Sequence, residues 1–256
     1  MNRNTTKIIK GFTLIELLVV ISIIALLLSI LIPSLAKVKA VAREVVCRAH
    51  LKQFGLAATT YAHDYDGQFV DCHAPSGSGS YAVYVTPGGV GKWLGAGNFY
   101  KRGLIDVPKI FYCPGNTNKT LQYGRDHPDP SNKGGGWPRG RIPEDLHPGQ
   151  KWVQTTYHYR SLWTGQKWRS INSTKDGGGM AFMADVFADP ARGVDYHHKD
   201  RYNTVYADGH CEPVVDKERE IINFNGGVKY HGDHPMQDRV WKRYFDISGN
   251  RYPEKP

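Results

Sequence analysis

The chain has 256 residues, with 33 Lys or Arg against 24 Asp or Glu and a formal net charge of +9. That length is enough for one core-bearing domain with long loops. The positive surplus is spread along the chain, which makes a weak case for nucleic acid. The absence of GxSxG, HExxH and Walker patterns argues against the enzymes those motifs mark, so the chain reads as a non-enzyme.

The first 11 residues, MNRNTTKIIKG, are a basic leader with Arg3, Lys7 and Lys10 and no acidic residue. In the 21 residues from Phe12 to Ile32, only Thr13, Glu16, Ser22 and Ser29 are not apolar. As a helix this run is about 31 Å long, which matches a hydrocarbon core of about 30 Å. The positive-inside rule puts residues 1–11 in the cytoplasm and everything after Leu35 on the far side of the membrane. A cleavable secretory signal has a shorter apolar core, about 7–15 residues, followed by a small-residue cleavage site. An ordinary single-pass anchor needs neither Glu16 nor a glycine at the polar–apolar junction. A carboxylate at the bilayer centre costs about 2.5–3.5 kcal/mol, so a chain that carries Glu16 has a use for it.

Beyond Pro33, which removes a backbone donor and should bend the helix, apolar residues keep a 3–4 spacing. Leu35, Val38, Ala42 and Val45 form one stripe, and Cys47, Leu51, Phe54, Ala58, Tyr61 and Tyr65 continue it on a shifted face. The spacing predicts one helix from about Thr13 to Tyr65, stopped by Asp64-Tyr65-Asp66-Gly67. Residues 74–98 and 124–150 read as loops around a short strand, Tyr81–Val85. Further strands are expected within Gly103–Cys113 and over Trp152–Ser161, Met180–Phe187, Tyr202–Ala207 and His210–Val215. The last two flank Asp208-Gly209, a two-residue hairpin signal. A short helix is expected after Glu218.

Gly11-Phe12-Thr13-Leu14-Ile15-Glu16, with the basic leader and the spanning helix, resembles the processing site of type IV prepilins and type II secretion pseudopilins. The resemblance implies that a prepilin peptidase cuts after Gly11 and methylates Phe12. Glu16 then becomes the fifth mature residue and pairs with the Phe12 amine of a neighbouring subunit, and Pro33 sits where many pilins kink the helix. Gly11 lets the scissile backbone approach a catalytic site closely. The family's partners would be other pilin or pseudopilin subunits, an inner-membrane assembly platform and the lipid bilayer. The implied fold is α+β: a leader over 1–11, a transmembrane half-helix over 12–35, an amphipathic half over 36–66 and a globular head over 67–256 with a small antiparallel sheet and long loops. The head would lie outside the inner membrane, on the periplasmic side or in a pilus or pseudopilus. Leu51-Lys52-Gln53-Phe54-Gly55-Leu56-Ala57, Phe111-Tyr112-Cys113-Pro114 and the Asn203…Asp208-Gly209-His210 hairpin are similar to segments of planctomycete-type pilin-like proteins.

Rival readings are a membrane-anchored protein that binds metal, polysaccharide or DNA, and a metal-dependent hydrolase. Asp185, Asp189, His197, His198, Asp208 and His210 fall close together, and Asp185, Asp208 and His210 form a candidate zinc set. Calcium would take Asp64, Asp66 and Asp71, or Asp185 and Asp189, although no DxDxDG loop occurs. The four cysteines, Cys47, Cys72, Cys113 and Cys211, contain no CxxC pair and are open to disulfide pairing outside the cytoplasm, with three full pairings available. Trp137, Trp152, Trp163 and Trp168, interleaved with Arg139, Arg141, Arg160 and Arg169, would stack on sugars or bases if exposed, or fill the core if buried. No resident cofactor is expected unless calcium or zinc is bound.

Overall fold

The computed structural model describes residues 12–70, 82–85, 91–119, 121–124, 134–137, 152–160, 162–163, 168–187, 198, 200–224 and 239–247. One long helix, α1 (Leu14–Asp64), opens the fold. It is followed by β1 (Ala82–Val85), β2 (Lys92–Trp93), α2 (Gly97–Lys101), a 3-10 turn (Pro108–Phe111), β3 (Gly134–Gly135), β4 (Trp152–Gln154), β5 (Tyr157–Tyr159), β6 (Leu162–Trp163) and β7 (Trp168–Arg169). The remaining elements are α3 (Ser173–Asp176), β8 (Ala181–Asp185), β9 (Arg201–Tyr206), β10 (Cys211–Val215), α4 (Glu220–Asn223) and a wide π-type turn (Trp241–Phe245). The class is α+β, as expected. Packing divides the chain into two compact units, Met1–Ala42 and Arg43–Pro256.

In the first unit every residue from Phe12 to Ala42 is exposed, and the helix is long and apolar enough to cross a membrane. Its hydroxyls are satisfied internally: Ser22, Ser29 and Ser34 donate to the carbonyls of Leu18, Leu26 and Leu31 at 2.7, 2.7 and 2.9 Å. This back-bonding pairs the hydroxyls within the helix, as a membrane-crossing helix would require.

The second unit begins within α1. Here the shifted stripe is buried: Cys47, Leu51, Phe54 and Ala58 are inaccessible, with Ala57 and Ala62 beside them. Phe54 meets Phe99, Phe111 and Tyr157 edge-on at ring-centroid distances of 5.6, 5.0 and 6.1 Å. Gly55 is required by close approach, since a Cβ there would lie 2.9 Å from Val205 Cγ2 and 3.2 Å from the Gly209 carbonyl oxygen. The stripe weakens at its end, where Tyr61 is half-buried and Tyr65 exposed. The helix stops with Asp66 and Gly67 both left-handed, at φ 49 and 78, and the Gly67 amide caps the Ala62 carbonyl at 2.8 Å.

Among the described residues three small sheets follow, in the orders β2-β1-β4-β3, β10-β9-β8-β5 and β6-β7. All pairings are antiparallel except β3 with β4. The β8–β9 pairing shifts register between Ala181 and Met183. Phe182, Met183 and Val205 join the core beneath α1, while Ala181, Ala184, Tyr202 and Tyr206 face a second core built from Ile221, Ile222, Trp241 and Phe245. The β8–β9 sheet is thus covered on both faces. A buried ion pair closes the second core: Arg160 Nη1 donates to Asp246 Oδ1 at 2.7 Å and to the Ala181 carbonyl at 3.1 Å, with its guanidinium over Trp241.

Three expectations are corrected. The Gly103–Cys113 strand is a 3-10 turn, because Pro108 has no amide to give a ladder and suits the first helical turn, and Phe111 is buried from there. The Trp152–Ser161 strand is broken at Thr155-Thr156, whose hydroxyls both donate to the Phe111 carbonyl. The Asp208-Gly209 hairpin has a three-residue loop with one left-handed glycine, Gly209 at φ 86. The Gly209 amide bonds Tyr206 O and the Tyr206 amide bonds His210 O, the geometry of a type I turn with a glycine bulge.

Candidate functional site

Among the described residues two constellations stand out, one in each unit. At the start of α1, the Thr13 amide and hydroxyl both donate to Glu16 Oε2 at 2.8 Å. The Glu16 amide donates back to Thr13 Oγ1 at 3.2 Å. This is a reciprocal capping box, in which two orphan amides of the helix terminus are satisfied. Thr13 was not singled out from the sequence, although Thr-x-x-Glu ahead of an apolar run is the signal for it. The box holds the carboxylate at the helix entrance, one turn from Phe12. Gly11 lies outside the described residues, and Pro33 lies within α1.

In the second unit Cys47, Cys113, Asp185 and His198 converge, with one ligating atom from each all within 4.8 Å of one another. Cys47 comes from the buried stripe of α1. Cys113 follows the 3-10 turn in Cys113-Pro114-Gly115. Asp185 ends β8, and His198 precedes β9. Cys47 Sγ lies 3.3 Å from Asp185 Oδ1, Cys113 Sγ lies 3.3 Å from His198 Nε2, and His198 Nε2 lies 3.8 Å from Asp185 Oδ2. Cys47 and Asp185 are inaccessible and Cys113 is 4 % exposed.

A surrounding shell fixes the four. Asn203 donates its amide and its side-chain Nδ2 to Asp185 Oδ2 at 2.7 and 3.0 Å. The Gly115 amide donates to Cys113 Sγ at 3.3 Å, and a Cβ at Gly115 would strike the His198 ring at 2.8 Å. Tyr157 Oη lies 3.3 Å from Cys47 Sγ, and the Cys113 amide donates to Thr156 Oγ1 at 2.6 Å. Burial, reinforced by Cys113 and Asp185, pushes the Cys47 thiol well above its ordinary range, and burial does the same to the Tyr157 phenol. Cys211 is pushed up to about 12, by burial and then by Asp185.

The sequence-derived zinc set is not assembled. Asp185 and the Asp208/His210 pair sit at opposite ends of the β8–β9 ladder: Asp185 beside Asn203, Asp208 bonded through its amide to the Gly178 carbonyl. Four residues of strand separate such ends by about 13 Å. Asp208 and His210 pair with each other on the exposed turn instead. Asp64 and Asp66 form the helix stop, where the Asp66 carbonyl accepts from Asn172 Nδ2 at 3.0 Å. Asp71, Asp189, His197 and Cys72 lie outside the described residues. Cys47, Cys113 and Cys211 are thiols, none joined in a disulfide. Of the aromatic–arginine set, Trp137 and Arg160 are core residues, Trp152 is half-buried and Arg169 is exposed.

No curated protein and no solved structure matches the chain. Residues 7–32 match the family model described as the prokaryotic N-terminal methylation motif. That segment spans the junction of the basic leader with the apolar helix and contains the Thr13–Glu16 box. The chain therefore carries the prepilin-type signal at the head of a helix able to span a membrane.

Proposed function

We propose that this protein is a pilin-like or pseudopilin structural subunit, cut between Gly11 and Phe12 by prepilin peptidase, methylated at Phe12 and assembled with other subunits into a type II secretion-like or type IV pilus-like filament. The single observation that carries this reading is the methylation motif over residues 7–32. Before assembly the protein would sit in the inner membrane in a single pass, leader in the cytoplasm and head outside, engaged by an inner-membrane platform.

The capping box supports a specific role for Glu16. Both of its internal hydrogen bonds fall on Oε2, which leaves Oε1 to receive the cationic Phe12 amine of a neighbour. Such a pair offsets two charges that would each be costly in lipid, and it fixes the axial stagger of subunits. Thr13 holds the carboxylate oriented meanwhile. Glu16→Val is expected to mature normally and to be lost from filaments, read as processed protein in the membrane fraction and none in the sheared or cross-linked polymer. Undiminished incorporation of this variant would remove Glu16 from the mechanism.

A further inference from the structure

Cys47, Cys113, Asp185 and His198 have the composition and spacing of a closed four-ligand metal site. Metal–ligand bonds of 2.0–2.3 Å in a tetrahedron place neighbouring ligand atoms about 3.3–3.8 Å apart. Cys47 Sγ to Asp185 Oδ1 at 3.3 Å, Cys113 Sγ to His198 Nε2 at 3.3 Å and His198 Nε2 to Asp185 Oδ2 at 3.8 Å fall in that interval, each carboxylate oxygen serving one contact. One ligand atom from each side chain lies within 4.8 Å of the others. The donors are two sulfurs, one imidazole nitrogen and one carboxylate oxygen, a set that suits zinc and disfavours calcium or magnesium, which take oxygen cages. We propose that these four side chains bind one zinc ion as a structural centre of the head.

The surroundings are those of a metal site. Ligand orientation is usually imposed by a second layer of hydrogen bonds. Here Asn203 holds Asp185 through two donors, and the Gly115 amide points at Cys113 Sγ. Gly115 is also the residue whose missing side chain lets the His198 ring approach. A carboxylate taken fully out of water is costly unless its charge is compensated, and a divalent cation supplies that compensation. Because all four positions are protein ligands in a buried place, no open coordination site is left for a substrate, so the role is structural.

The four ligands come from α1, the Cys113-Pro114-Gly115 turn, the end of β8 and the approach to β9. One ion would therefore fasten the amphipathic part of α1 to three other segments distant in sequence, and metal binding would be coupled to folding of the second unit. None of this depends on whether the Gly11–Phe12 bond is cut.

The test is metal analysis of the full chain, purified in detergent with a reductant and no chelator, after growth with zinc. About one zinc per chain is expected, as in a closed structural site. Cys113→Ser and His198→Ala should each weaken zinc retention against a competing chelator by at least roughly 10–100-fold, while His210→Ala on the exposed turn keeps it. Should the ligand variants misfold, cobalt(II) exchanged into the unaltered protein gives an independent reading: an intense visible spectrum with thiolate charge transfer marks tetrahedral sulfur ligation. A metal-free protein after zinc supplementation overturns the proposal. So does a cobalt spectrum without thiolate bands, or a Cys47–Cys113 disulfide found by non-reducing peptide mapping of protein isolated from cells.

Discussion

Leu27 and Leu51 belong to one continuous helix and meet opposite environments: Leu27 is 54 % exposed and Leu51 is inaccessible. Up to Ile32 the helix is apolar nearly all round, and through Ala42 every residue of it is exposed among the described residues. After Arg43 a single stripe is apolar and is sealed by aromatic rings and by the β8–β9 sheet. The first segment therefore contributes little to the stability of an isolated subunit. Its apolar surface is long enough to cross a membrane, and under the proposed function lipid or neighbouring subunits would cover it. The second segment is part of a conventional core and pays for its own order.

Substitutions on either side of Ala42 test this contrast, all read by chemical denaturation of the purified full chain. The largest effect is expected where the second unit is closed by charge. Asp246→Ala removes the carboxylate that balances the buried Arg160 guanidinium and should cost about 3–5 kcal/mol. Leu51→Ala opens a cavity under the sheet and should cost about 2–5 kcal/mol. Gly55→Val pushes α1 away from Val205 and the hairpin glycine, an overpacking worth about 1–3 kcal/mol. Leu27→Ala, the same chemical change as Leu51→Ala but before Ala42, should stay within about 0.5 kcal/mol. Equal losses for the two leucine variants would abolish the distinction between the segments.

The helix was legible because its signals are local. The 3–4 spacing from Cys47 to Ala58 marked the buried face, and Asp66-Gly67 marked the stop within a residue or two. The β9–β10 hairpin was legible for the same reason, though its loop is one residue longer than Asp208-Gly209 suggested. Gly103–Cys113 misled because Ile110-Phe111-Tyr112 is as apolar as a strand, and only Pro108 argued for a turn. The thiol–carboxylate–imidazole cluster could not be read from spacing, since its members lie on four separate segments and their meeting is decided by how β8, β9 and α1 pack. Composition noted each member, but proximity in sequence favoured Asp208 and His210, which the ladder carries to the wrong end. The ion pair of Arg160 was not legible for a similar reason, because its partner Asp246 lies far along the chain.

Processing at the Gly11–Phe12 junction is read by intact and N-terminal mass spectrometry of the protein recovered from its native membrane fraction. The expected product is a chain that begins at Phe12 and carries one methyl group on its amine. A chain still bearing residues 1–11, in cells whose other prepilins are processed, would contradict it.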